Sequence, residues 1–146
     1  MGVVHGVRAF APLLVKQESG HIVNTASFGG LMPLPGMTPT TPPCMRWWVS
    51  TETLDAELKA VSPALGATVL CPGLVATPLH SNSEQLRSAS SSDGVASAAP
   101  HKKRAAQGVP PQEIAEGTIE AIEAGRVHAI LGGGGARCPQ ASGVRD

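Results

Sequence analysis

The sequence predicts an α/β protein: a partial doubly wound sheet of about three parallel strands with flanking helices. Three observations point there. Apolar residues recur at helical offsets of three and four in separated segments. Short apolar runs lie between those segments, the first following Gly20 and partly β-branched, the second stopped by Pro72-Gly73. The order that results is helix, strand, loop, helix, strand, long loop, helix, strand, the alternation from which parallel sheets are built. Sheets of compact domains usually hold about four to six strands, so three is a small number.

The first helix is marked by Val3, Val4, Val7, Phe10, Ala11, Leu14 and Val15. Pro12 falls inside it and is expected to kink it, because proline lacks an N–H and its ring crowds the preceding turn. Lys16 to Gly20 reads as helix end and turn, and residues 21–26 as the first strand. Between Ser27 and Pro39 stand three glycines and three prolines, a density that only a loop tolerates. Residues 40–50 carry neither helical nor strand periodicity, and Pro42-Pro43 is expected to block an early helix.

A helix is expected from residue 51 to 60, with Glu52 and Asp55 near its positive end and Leu54 and Leu58 one turn apart. Residues 66–71 form the second apolar strand, stopped by Pro72-Gly73. Residues 80–108 are rich in Ser and Ala and poor in large apolar groups, and read as a mobile loop. Pro110-Pro111-Gln112-Glu113 opens the last helix, Ile114, Thr118, Ile119 and Ile122 line its apolar face, and Gly125 suits the position just past its end. Residues 127–131 make a third strand. The Gly-rich residues 132–146 read as a disordered tail.

Composition narrows the function classes. The 146 residues carry 11 Lys+Arg against 11 Asp+Glu, so bulk charge draws the chain to no polyanion. A nucleic-acid role for His101-Lys102-Lys103-Arg104 is therefore outweighed by a solvated loop. No apolar run is long enough for a membrane span, and the start lacks the basic region and cleavage site of a secretory signal. Three widely spaced cysteines (Cys44, Cys71, Cys138) form neither a zinc pattern nor a disulfide framework, which suits a reducing, cytoplasmic setting. The five histidines show no ligand spacing, so no metal is expected. Gly132 to Gly135 lack the Lys-Ser/Thr and helix of a phosphate loop. There is no tyrosine at all, so no phenol is available for chemistry.

Three segments in order carry a family resemblance: residues 20–30 (Gly-His-Ile-Val-Asn-Thr-Ala-Ser-Phe-Gly-Gly), residues 71–78 (Cys-Pro-Gly-Leu-Val-Ala-Thr-Pro), and the amphipathic helix after the variable loop. Over roughly residues 1–131 the chain resembles the C-terminal half of a short-chain dehydrogenase/reductase, whose fold is Rossmann-like. The resemblance implies that Ser27 is catalytic, donating a hydrogen bond to the reacting carbonyl or alcohol oxygen. It implies that Pro72, Gly73, Val75 and Thr77 bind the nicotinamide end of an NAD or NADP cofactor. It further implies that residues 79–108 cover a small-molecule substrate.

The departures are as informative as the matches. The family's acid/base Tyr-x-x-x-Lys motif would place its Tyr thirteen residues after Ser27, where Thr40 stands, and its Lys at Cys44. The family's glycine-rich turn, which holds the cofactor pyrophosphate, has no counterpart in these residues, so most of the cofactor's anchoring is not expected from this chain alone. The expected function is therefore a fragment resembling an NAD(P)-dependent oxidoreductase of carbonyls or secondary alcohols, inactive as it stands. The alternative is a non-catalytic interaction or oligomerisation module that uses an exposed strand edge or the C-terminal helices. Partners would then be a second copy of the chain or a full-length relative, with no nucleic acid and no membrane.

Overall fold

The structure is a computed structural model that describes residues 2–31, 41–79, 82 and 108–132, with backbone alone at 41–44. Its elements in order are α1 (Gly2–Gln17), β1 (Gly20–Thr25), a 3-10 turn (Phe28–Gly30), α2 (Thr41–Val61), β2 (Leu65–Pro72), α3 (Pro111–Glu123) and β3 (His128–Leu131). The strands form one parallel sheet in the order β1-β2-β3, as the alternation predicts. The expected Gly-rich tail from residue 133, and most of the expected loop 80–108, lie outside the described residues.

α1 runs through Pro12 to Gln17 as one helix. Pro12 and Arg8, whose carbonyl loses its i+4 donor, are both exposed, so water can take the place of the missing bond. α2 begins at Thr41, ten residues earlier than the expected start at residue 51. Pro42 and Pro43 fall in its first turn, where an N–H has no intrahelical acceptor to lose and the fixed φ of proline already suits a helix. They open the helix instead of blocking it. The inward face of α2 runs through Trp48, Thr51, Asp55 and Leu58, and two polar members on that stripe hide its periodicity.

β2 is the central strand and the most buried element, with Leu65, Ala67, Val69 and Cys71 all within the core. Leu58 of α2 joins Leu65 and Ala67, and Leu14 of α1, Ile22 of β1 and Leu54 of α2 pack around them. Ile114 and Ala121 of α3 and Ala129 of β3 complete the buried apolar set. The expected apolar face of α3 is rotated in part, because Ile119 is exposed and Ala121 takes the inward position. Gly125 terminates α3 with a φ of +61°, the left-handed conformation expected just past a helix end. Among the described residues no helix is long and apolar enough to cross a membrane.

Every buried polar side-chain atom among the described residues has a partner. Alternate residues of β2 aim their N–H groups at β3, as Val69 does at the Val127 carbonyl (2.7 Å). β3 pairs no further back than Val69, so Ala67 N–H lacks a strand acceptor, and the buried Asp55 carboxylate takes that bond instead at 2.9 Å. Lys59, one turn along α2, donates to the other Asp55 oxygen at 2.8 Å. The next residue, Thr68, donates its hydroxyl hydrogen to the Arg126 carbonyl at 2.7 Å. Its oxygen must therefore accept the 2.7 Å bond from His21 Nε2, which fixes that nitrogen as protonated.

Burial holds the His21 pKa below the ordinary 6.5, against a weaker opposing pull from the Asp55 carboxylate, while Lys59 adds to the lowering. The folded state thus binds the His21 proton less readily than the unfolded chain. The contribution of His21 to stability is complete above pH 6.5 and falls as the pH drops through the lowered folded value. Urea melts between pH 7.5 and 5.5 should show a loss of stability that is smaller in His21→Gln than in the parent. An equal loss in both proteins would exclude the assignment.

Candidate functional site

Parallel sheets gather their loops at the carboxyl ends of the strands, and that edge is where open α/β folds bind ligands. β1 and β2 are neighbours in register, Thr25 opposite Leu70, and the ladder is extended by Ala26 N–H to the Leu70 carbonyl at 2.8 Å. The chain segments leaving these two strands, Ala26-Ser27 and Gly73 onward, therefore emerge side by side at one edge of the sheet. The structure brings Ser27 and the Pro72–Thr77 segment to that common edge.

Ser27 has an extended backbone (φ −161°, ψ 149°) and caps the 3-10 turn. Its Oγ accepts from Gly29 N–H at 3.2 Å, which orients the hydroxyl and leaves its hydrogen to donate elsewhere. The 3-10 turn packs against α2, so Ser27 is seated between a strand end and a helix. Three residues before it, the buried Asn24 donates to Thr51 Oγ1 at 3.1 Å, and Thr51 in turn donates to the Trp47 carbonyl at 2.6 Å. This chain of bonds ties the end of β1 to α2 directly beneath Ser27. The sequence reading missed Asn24 and Thr51. An Asn in the middle of a strand of otherwise apolar character was the available signal, since such a residue needs a buried partner.

The segment after β2 is short and heavily fastened. Gly73 N–H donates to the Leu131 carbonyl at 2.8 Å, Ala76 N–H to the Val109 carbonyl at 2.9 Å, and Val109 N–H to the Leu74 carbonyl at 2.9 Å. Val75 and Val109 form an isolated parallel bridge. Thr77 N–H folds back onto the Val75 carbonyl at 2.8 Å, and the Thr77 side chain is exposed. The side chain of Cys44 and all of Thr40 lie outside the described residues.

Elsewhere, His128 Nε2 meets Glu52 Oε1 at 2.7 Å and stacks on Trp48, with ring centroids 4.3 Å apart and planes 8° off parallel. A segment that looked aperiodic thus contributes a defined contact between α2 and β3. A groove of about 550 Å³ runs between α1 (Val3, Val7, Phe10, Leu14) and β1, and none of the sequence-predicted site residues lines it. It follows the outer edge of β1, where His21, Val23 and Thr25 turn their backbone groups away from β2 and no strand pairs among the described residues. Neither a cluster of potential metal ligands nor a metal-binding spacing occurs among the described residues.

Three parallel strands with helices between them, a capped serine at one strand end and a Pro-Gly segment at the next make a partial doubly wound, Rossmann-like sheet. The sequence profile of the short chain dehydrogenase family matches residues 1–87, and the chain belongs to that family. The match does not reach the third resembling segment, the amphipathic helix α3, or the rest of the stretch to residue 131 over which the sequence suggests the likeness. An uncharacterized oxidoreductase of Staphylococcus saprophyticus is 37% identical over 78 residues, 53% of this chain and 32% of the relative. Oxidoreductase BOA17 of Botryotinia fuckeliana is 33% identical over 86 residues, 59% of this chain and 31% of the relative.

Among solved structures, a short-chain dehydrogenase/reductase from Burkholderia phymatum in complex with NAD superposes with a TM-score of 0.73 at 30% identity. It covers 88% of this chain and 49% of that one. The chain thus spans about a third of the length of the curated relatives it matches and about half of the matched structure.

Proposed function

We propose that this chain is the substrate- and nicotinamide-facing half of an NAD- or NADP-dependent short-chain oxidoreductase, and that by itself it does not turn over carbonyl or alcohol substrates. The observation that carries this reading is that Ser27 and the Pro72–Thr77 segment leave the carboxyl ends of adjacent, paired strands, in a chain of this family. The residues present fit the nicotinamide end of the cofactor. Thr77 is exposed, with a hydroxyl that can donate to or accept from a carboxamide, and Pro72, Gly73 and Val75 hold it on a segment fixed by backbone bonds. The bound cofactor would supply or accept the hydride. The Ser27 hydroxyl would donate a hydrogen bond to the reacting oxygen, and its Gly29 contact orients it for that.

Proton transfer is the missing step. A carbonyl that gains a hydride must also gain a proton, and a phenol beside a lysine cation can be tuned to give it. Thr40 offers an aliphatic hydroxyl, a far weaker acid than a phenol of pKa ~10, and Cys44 brings no positive charge. The three widely spaced cysteines suit a reducing cytoplasmic setting for such a protein.

Fluorescence titration with NADH and NADPH tests the cofactor half of this reading. Saturable binding is expected, weakened roughly threefold to tenfold in Thr77→Ala, the loss of about one hydrogen bond. Absence of saturable binding, or equal affinity in the variant, would remove Thr77 from a cofactor site.

A further inference from the structure

We propose that Gly108-Val109 is the positioning element of the nicotinamide-side segment 73–77, fixing that segment's shape before any ligand arrives. The proposal rests on the reading of this segment as cofactor-facing and goes beyond it, because neither residue belongs to the Pro72–Thr77 set.

A Cβ placed on Gly108 would lie 2.6 Å from the Leu74 carbonyl oxygen and 2.8 Å from the carbonyl carbons of Leu74 and Val75. The obstruction is backbone, which cannot swing aside as a side-chain tip can. Only glycine lets the two chain segments approach this closely. The approach sets up the two bonds that follow it, Val109 N–H to the Leu74 carbonyl and the Val109 carbonyl to Ala76 N–H, both 2.9 Å. Val109 is itself anchored from behind. Its Cγ2 sits 3.1 Å from where a Cβ on Gly132 would stand, and Gly132, at φ +73°, follows directly on β3. Leu131, the last residue of β3, accepts from Gly73 N–H at 2.8 Å at the near end of the same segment. Segment 73–77 is thus tied to the end of β3 through Gly73 and to Val109 through Leu74 and Ala76. A segment so fixed loses little conformational freedom on binding, and weakening the clamp should lower affinity without touching a ligand contact.

The test uses the full chain and two readouts on the same samples: amide hydrogen exchange by NMR, and NADH affinity by fluorescence. Gly108→Ala is expected to speed exchange at Ala76 and Val109 by roughly tenfold or more, as the two backbone bonds between the segments are strained. The amides of Ala67 and Val69 in the core should stay protected, which certifies the fold. NADH affinity should fall by about the same factor. Ala76→Pro removes one clamp donor without crowding Gly108, and serves if Gly108→Ala does not fold; faster exchange at Val109 and weaker NADH binding are expected of it. Thr77→Ala should weaken NADH while leaving exchange at Ala76 and Val109 as in the parent.

Unchanged exchange in Gly108→Ala and Ala76→Pro would overturn the clamp. Faster exchange with unchanged NADH affinity would overturn the positioning role alone. A parent chain that captures no NADH, whatever its exchange pattern, would overturn the positioning role together with the cofactor reading on which it rests.

Discussion

Asp55→Ala is expected to cost the fold about 2–3 kcal/mol, the largest stability loss of any single polar substitution in this core. The carboxylate is 5% exposed and accepts the Ala67 N–H at 2.9 Å at a point where β3 supplies no carbonyl. Its removal leaves a buried amide of the central strand without an acceptor and a small void beside the Leu58, Leu65 and Ala67 cluster. The ion pair with Lys59 contributes little of this. Lys59 is 40% exposed and one turn along the same helix, the geometry of pairs worth about 0.3–0.5 kcal/mol. Asp55→Asn keeps an oxygen for Ala67 and gives up only the charge, so its loss should be about 1 kcal/mol or less. Urea melts of the two variants separate the contributions. Equal losses would mean that the charge, not the bond to the strand, is what matters.

Asp55 also marks where legibility in the sequence ended. The fold class, the three strands and their parallel order follow from periodicity and punctuation. Gly20, Pro72-Gly73 and Gly125 stand at element ends in the structure as they do in the reading. α2 was foreshortened because its inward stripe mixes Trp48 with Thr51 and Asp55, so a hydrophobic pattern vanishes although the helical spacing of 48, 51, 55 and 58 is intact. The polar members are there for partners 12 to 27 residues away, Ala67 for Asp55 and Asn24 for Thr51, and such long-range pairing leaves no local trace. The strand ends that carry Ser27 and Pro72-Gly73 were legible because each has a distinctive sequence. Gly108 was not. Its need for a missing side chain comes from the Leu74 carbonyl, more than thirty residues earlier in the chain.

The other large effect expected of this chain is catalytic. Hydride transfer to a ketone needs an acid within reach of the carbonyl oxygen, and general acid/base catalysis typically contributes about 10²–10⁴ in rate. Ser27 can polarise that oxygen but cannot replace the acid, because its own proton is as reluctant to leave as that of Thr40. A lysine cation would lower the acidity threshold of a neighbouring phenol. In the proposed reading Cys44 takes the place of that lysine and brings no cation, and no tyrosine exists in the chain to benefit. Binding and catalysis are therefore expected to separate, with nicotinamide capture through Thr77 and no chemistry to follow.

The most direct measurement is absorbance in the reduced-nicotinamide band over hours, with NADH and NADPH, a panel of ketones, and the parent chain beside Ser27→Ala. Parent and variant should both match the protein-free rate for every ketone. Steady oxidation of cofactor by the parent, proportional to protein and lost in Ser27→Ala, would contradict the account.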